Sequence, residues 1–228
     1  MSSLQIRGIA IAAGIAMAGV GFAAPASAGA ILVFGQKTFS PDFVLTQTSS
    51  STTNMSVSSV ITVTTFDSAS PVTPFDALFT LTASNTSPAT LVGNQIFESF
   101  TGSFTITSAS CGAGGNCLSG TFIDGFGGKL NGSSATLSAS TPSSNAVTFT
   151  SDIIPMSELG LERALSFSLA GVSPFLTMSG TTIASTTAQF SGVFSANPQA
   201  VPEPGSLALL GAGVLGLGFV GSRRKQAS

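Results

Sequence analysis

Phe100-Thr101-Gly102-Ser103-Phe104-Thr105-Ile106-Thr107 is the stretch that decides the fold class. Phe100, Phe104 and Ile106 fall on one face of an extended chain, and Thr101, Ser103, Thr105 and Thr107 fall on the other. Period-two alternation with β-branched threonine on the wet face is the pattern of a half-buried antiparallel strand. Leu165, Phe167 and Leu169 alternate with Ser166 and Ser168 in the same way, and Ala135, Leu137 and Ala139 stand between serines.

Working outward, further strands are expected at 31–34, 42–47, 57–66, 77–83, 90–98, 120–123, 146–151, 175–179 and 186–195. Turn signals separate them: Ser40-Pro41-Asp42, Ser70-Pro71, Asn85–Pro88, Asp124-Gly125, Asn131-Gly132 and Ser173-Pro174. No amphipathic helix is available for crossovers, so the expected fold is all-β, a single antiparallel β-sandwich-like domain. The one helix suspect is Met156–Ala164, with Ser157 as its cap and Glu158, Glu162 and Arg163 on its surface. Thr-x-Thr recurs at Thr62/Thr64, Thr80/Thr82 and Thr105/Thr107. The intervals are unequal, so these are strand threonines and not a stacked repeat.

Composition removes several chemistries. The 228 residues include no histidine, so Ser-His-Asp triads, His-activated cysteines and imidazole metal ligands are excluded. Two cysteines build neither a four-thiolate zinc site nor an iron–sulfur cluster. Seven basic residues leave no face to neutralise a run of phosphates, so nucleic acid is not an expected partner. A mean hydropathy of +0.50 points to membrane-directed segments.

Those segments lie at the two ends. Arg7 precedes an apolar run from Ile9 to Ala24, followed by Pro25-Ala26-Ser27-Ala28. A basic n-region, an apolar h-region and a small-x-small ending describe a secretory signal peptide over 1–28, cleaved between Ala28 and Gly29. Signal peptidase and Sec-type export machinery are the partners this implies. Near the other end, Val201-Pro202-Glu203-Pro204-Gly205 leads into an uncharged run, Ser206–Gly221, and then Arg223-Arg224-Lys225. As a helix this run spans about 24 Å, short of the roughly 30 Å hydrocarbon core, so it is a marginal transmembrane anchor. The basic cluster acts as a cytoplasmic membrane stop.

Pro202-Glu203-Pro204, the short Gly/Leu-rich membrane segment and the terminal basic cluster together resemble the PEP-CTERM sorting signal of Gram-negative bacteria. The resemblance covers only residues 201–225 and does not identify the passenger. It implies that an exosortase, a membrane-embedded protease-transpeptidase, recognises Pro202, Glu203 and Pro204 and removes the tail. The chain would be anchored transiently in the inner membrane, then released or transferred to the cell surface or extracellular matrix, often in organisms that make exopolysaccharide. Gly211-Ala212-Gly213-Val214-Leu215-Gly216 also satisfies a dinucleotide-binding spacing. It lacks the βαβ unit and the downstream acid that this fingerprint requires, so it is read as small residues of a membrane helix, and no cofactor follows.

The expected domains are therefore the signal peptide at 1–28, an exported β-rich passenger at 29–200 and the sorting signal at 201–228. Within the passenger, Cys111 and Cys117 flank Gly-Ala-Gly-Gly-Asn and are expected to form a disulfide after export. The spacing is not Cys-x-x-Cys and no cation sits beside it, which argues against a redox pair. Lys37, Lys129 and Arg163 face eight acids, a net charge of −5. Those acids are Asp42, Asp67, Asp76, Glu98, Asp124, Asp152, Glu158 and Glu162. They form no Asp-x-Asp cluster; calcium would need Asp67 with Asp76, or Asp124, and solvated loop acids are the simpler reading. No metal, cofactor or catalytic residue is assigned. The expected function is a non-enzymatic surface or matrix protein. The alternatives are a carbohydrate-binding module for exopolysaccharide and a hydrolase built on two converging carboxylates.

Overall fold

The computed structural model describes residues 29–67, 71, 73–140, 147–160 and 162–197, and every regular element among them is a strand. In chain order these are β1 (Gly29–Gln36), β2 (Phe43–Gln47), β3 (Thr53–Phe66), β4 (Phe75–Asn85), β5 (Thr90–Val92), β6 (Gln95–Thr107), β7 (Asn116–Lys129), β8 (Ser134–Ser140), β9 (Arg163–Ser173), β10 (Met178–Ser179), β11 (Thr182–Ile183) and β12 (Thr186–Ala196). The founding stretch lies in β6, where Phe100, Phe104 and Ile106 are buried and Thr101, Thr105 and Thr107 are exposed.

The all-β antiparallel expectation holds; the arrangement of the sheet differs. A sandwich has two facing sheets, whereas here ten strands form one sheet whose ladder returns to its start. β1 and β2 run end to end in one slot between β12 and β3. From there the neighbours are β3, β4, β6, β7, β8 and β9 in succession, and β9 pairs with β12 from Arg163 to Ser173. The result is an up-and-down barrel of eight strand positions with β5 appended to β6, and β10 and β11 form a separate hairpin. Period-two patterning cannot distinguish a barrel wall from a sandwich face, because both bury alternate residues. The barrel differs only in pairing its first strand position to its last, which removes the open edges.

The interior is filled by phenylalanine. Phe34 of β1 meets Phe79, Phe167, Phe190 and Phe194 at centroid distances of 5.3–6.0 Å. Phe104 of β6 and Phe194 of β12 come from opposite positions of the ring, yet their centroids are 4.6 Å apart. Rings from facing walls therefore touch, and the barrel has a packed core rather than a lumen. Gly192 makes room for this contact: a Cβ there would lie 2.4 Å from Phe167 Cδ1 and 2.6 Å from Phe34 Cε1.

Three local expectations are corrected. No helix forms at 156–164: Pro155 O accepts from Glu158 N and Leu159 N in a single turn, and Arg163 already begins β9. The expected strand 90–98 is a hairpin, β5–Gly93-Asn94–β6, with Gly93 at φ 61°. Asp124-Gly125 is not a turn, since β7 runs through it paired to Phe100 and Ser99. Cross-strand pairing along the whole of β6 outweighs the local turn preference of that dipeptide.

Gly192→Ala should lower stability by about 1–3 kcal/mol through overpacking against buried rings. Urea denaturation checks this; an unchanged midpoint would mean that the rings do not meet as described.

Candidate functional site

The acids are the most numerous groups in the passenger able to carry general acid–base chemistry, and their surroundings differ. Glu98 of β6 is 2% exposed. Its Oε1 accepts from Asn85 Nδ2 at 2.9 Å and from the Thr182 hydroxyl, and its Oε2 accepts from Ile183 N at 3.1 Å. Thr53 Oγ1 lies 2.6 Å from Thr182 Oγ1 and donates to Ile183 O at 2.7 Å. This network fastens β11 to β3, β4 and β6 at one pole of the barrel. Protein donors take up both carboxylate oxygens, which makes Glu98 a clasp between these strands.

Asp42 and Asp76 hold the loop between β1 and β2, where the strand slot is interrupted. Asp42 Oδ2 accepts from Ser59 Oγ at 2.6 Å and Gln36 Nε2 at 2.8 Å. Asp76 pairs with Lys37 at 2.5 Å and accepts from Thr62 Oγ1 at 3.1 Å. Gln36 Oε1 also accepts from Phe190 N at 3.3 Å, occupying the gap left in the β12 ladder between its β2 and β1 partners. Hydrogen bonds from Ser40, then Ser59, hold the Asp42 carboxyl below its ordinary pKa, and the bond from Lys37 does the same for Asp76. Asp152 accepts from Asn116 N at 3.0 Å, and Glu162 from Asn197 Nδ2 at 3.0 Å. Among the described residues no three acids or cysteines converge as a metal site.

The opposite pole carries both ends of the barrel. Gly29, the expected first residue after signal cleavage, is the register partner of Ala196. Asn197 is held beyond it by its N–H to Glu162 O at 2.9 Å. The β6–β7 connection lies at the same end of the strands, where Cys111 and Cys117 are disulfide-bonded with Cα atoms 5.0 Å apart. Both cysteines are fully buried, and Ser151 Oγ donates to Cys117 O at 2.7 Å.

Ala28, Pro202, Glu203, Pro204, the run 206–221 and Arg223-Arg224-Lys225 lie outside the described residues. Among the described residues no helix is long and apolar enough to cross a membrane. Residues 200–225, beginning three positions beyond Asn197, match the family model of the PEP-CTERM protein-sorting motif. The chain carries a PEP-CTERM sorting signal. No curated protein and no solved structure matches the chain. The PEP-CTERM signal implies recognition by exosortase and the export machinery, and export across the membrane to the cell surface. It follows the last barrel strand after only a few residues, and that strand pairs with the one beginning at Gly29.

Sequence patterning missed three exposed aromatics, Phe175 after β9 among them. Phe39 is 94% exposed on the β1–β2 loop, and Phe97 is 46% exposed on the outer face of β6. Ile96 and Glu98 point inward on either side of Phe97, so alternation counted from Phe100 would have placed it outside.

Glu98→Ala should cost about 3 kcal/mol by leaving buried donors unpaired, whereas Glu158→Ala at an exposed turn should stay within about 0.5 kcal/mol; chemical denaturation of both variants checks this. Asp42 and Asp76 have folded pKa values below the unfolded value of 3.8, so their contribution is complete above that pH and is lost as pH falls through the folded values. NMR titration of the two carboxyls should place both midpoints below 3.8. A midpoint at or above it would contradict the hydrogen bonds and ion pair that hold the β1–β2 loop.

Proposed function

We propose that the chain is a non-enzymatic structural protein of the cell surface or extracellular matrix, delivered there through its PEP-CTERM signal. The observation that carries this reading is the family match at residues 200–225. In the proposed roles, Pro202-Glu203-Pro204 is read by exosortase, Ser206–Gly221 is a transient anchor and Arg223-Arg224-Lys225 holds the tail in the cytoplasm. Residues 1–28 would direct export, and 29–200 would be the delivered passenger.

The passenger's physical character supports display rather than catalysis. Its main ladder closes on itself, so that among the described strands only β5, β10 and β11 are paired on one side alone, and rows of hydroxyls cross part of its outer wall. Ser58, Thr80, Thr105, Ser119 and Thr150 are successive cross-strand partners, with Thr80 and Thr105 hydroxyls 2.7 Å apart and those of Ser119 and Thr150 2.8 Å apart. An uncharged hydroxyl surface stays wetted without depending on ionic strength.

The test is processing in the native host. Glu203→Ala, and separately deletion of 201–228, should abolish tail removal and reduce surface delivery at least tenfold by immunoblot of surface and membrane fractions. Unchanged processing and delivery in both variants would overturn the sorting assignment.

A further inference from the structure

The side chains around Glu98 are placed as the parts of a reaction. The Thr182 hydroxyl donates to Glu98 Oε1, and Asn85 Nδ2 reaches the same oxygen at 2.9 Å. Asn85 Oδ1, the other end of that amide, accepts from Thr53 N at 3.0 Å. These partners fix which way the amide points. Its nitrogen meets only acceptors, Glu98 Oε1, Ser51 O at 3.0 Å and Ser87 O at 3.4 Å, and its oxygen meets a backbone N–H.

A hydroxyl bonded to a carboxylate is an activated nucleophile, and a carbonyl oxygen facing a fixed N–H is a polarised electrophile. Two groups bonded to one oxygen stand within about 5 Å of each other. Approach to the roughly 3–3.5 Å of a reacting pair is the one movement required. Thr53, Glu98 and Thr182 are buried, which keeps water from competing as the nucleophile. Asn85, at the end of β4, is half-buried and leaves the nitrogen side of the cluster nearest to solvent.

We propose that Thr182 and Asn85 become joined by an intramolecular ester bond, with Glu98 as the base that makes it. Glu98 takes the proton of Thr182 Oγ1 as that oxygen attacks Asn85 Cγ. Negative charge gathers on Asn85 Oδ1, where the Thr53 N–H meets it. Glu98 then hands the proton to Nδ2, which is bonded to the same carboxylate oxygen. The Cγ–N bond breaks with its electron pair on nitrogen, and ammonia leaves. One Oγ1–Cγ bond has replaced one Cγ–N bond, Glu98 is a carboxylate again, and no oxidant, metal or co-reactant is consumed. Ammonia that reaches solvent is protonated and diluted, which prevents the return reaction. The product ties β4 covalently to β11, whose only strand partner is β10. The proposal is independent of the sorting role.

The experiment is mass spectrometry of the full chain, purified in mild detergent and reduced, together with its tryptic map. The intact mass should fall short of the unmodified chain with the same termini by about 17 Da, one ammonia. Trypsin cuts after Lys37, Lys129 and Arg163, so the peptide 38–129 carries Asn85 and the peptide beginning at Ala164 carries Thr182. The two should appear as one species and separate after hydroxylamine, which cleaves esters and spares amides. Thr182→Val, which keeps the side-chain volume, and Glu98→Gln should each restore the full mass and free the peptides. Thr181→Val, at the exposed neighbouring position, should keep the link. Full mass and separate peptides in the wild-type chain would overturn the inference. So would joined peptides that survive Thr182→Val, or a loss of about 17 Da with the peptides separate, which is closure of Asn85 onto its own backbone. A loss of about 18 Da, one water, would overturn it as well, because Thr182 would then be acylated by Glu98 itself.

Discussion

The pairing of β12 on both of its edges is the constraint on which the rest of the structure depends. One edge takes β1 and β2 in succession, and the other takes β9 along its length. Without it, the meander from β3 to β9 would be an open sheet with two hydrogen-bonding edges and a face of phenylalanines in water. With it, Phe194 reaches Phe104 across the barrel, and Phe34, Phe79, Phe167 and Phe190 close around them. The same pairing sets Gly29 beside Ala196, so closure of the fold and placement of its two ends follow from one interaction.

This arrangement bears on the sorting signal that follows it. The PEP-CTERM signal begins a few residues after β12, a strand bonded on both sides. A segment attached to such a strand cannot pull it away without shearing two ladders. The disulfide between Cys111 and Cys117 fixes the neighbouring connection at the same pole. At the far pole, the buried carboxyl of Glu98 performs a comparable service for the β10–β11 hairpin by accepting from the Thr182 hydroxyl and Ile183 N.

Much of this was legible in the sequence, and what was not has physical causes. Alternation around Phe100, Phe167 and Leu137 was enough to place β6, β9 and β8, because each strand buries one face. Pro202-Glu203-Pro204 with its flanking segments was legible because that signal is linear. Closure was not legible: it is a pairing between Phe190 and Leu169, or Val193 and Ser166, that leaves no mark on the period of either strand. Asp124-Gly125 reads as a turn in isolation and becomes strand only because Phe100 and Ser99 face it. Glu98 reads as one more surface acid, since its burial comes from Asn85 and Thr182, distant in sequence. Phe39, Phe97 and Phe175 stand exposed among eighteen phenylalanines, and nothing in composition separates them from the buried ones.

Residue-resolved amide hydrogen exchange tests ring closure most directly. In a closed barrel, alternate amides of β9 and β12 on both edges are bonded, and they should exchange in the same slow class as those of β3 and β4, by global unfolding. If the β9 amides directed at β12 exchanged orders of magnitude faster than those directed at β8, β9 would be an edge strand. The barrel, the adjacency of its two ends and the account built on them would then be wrong.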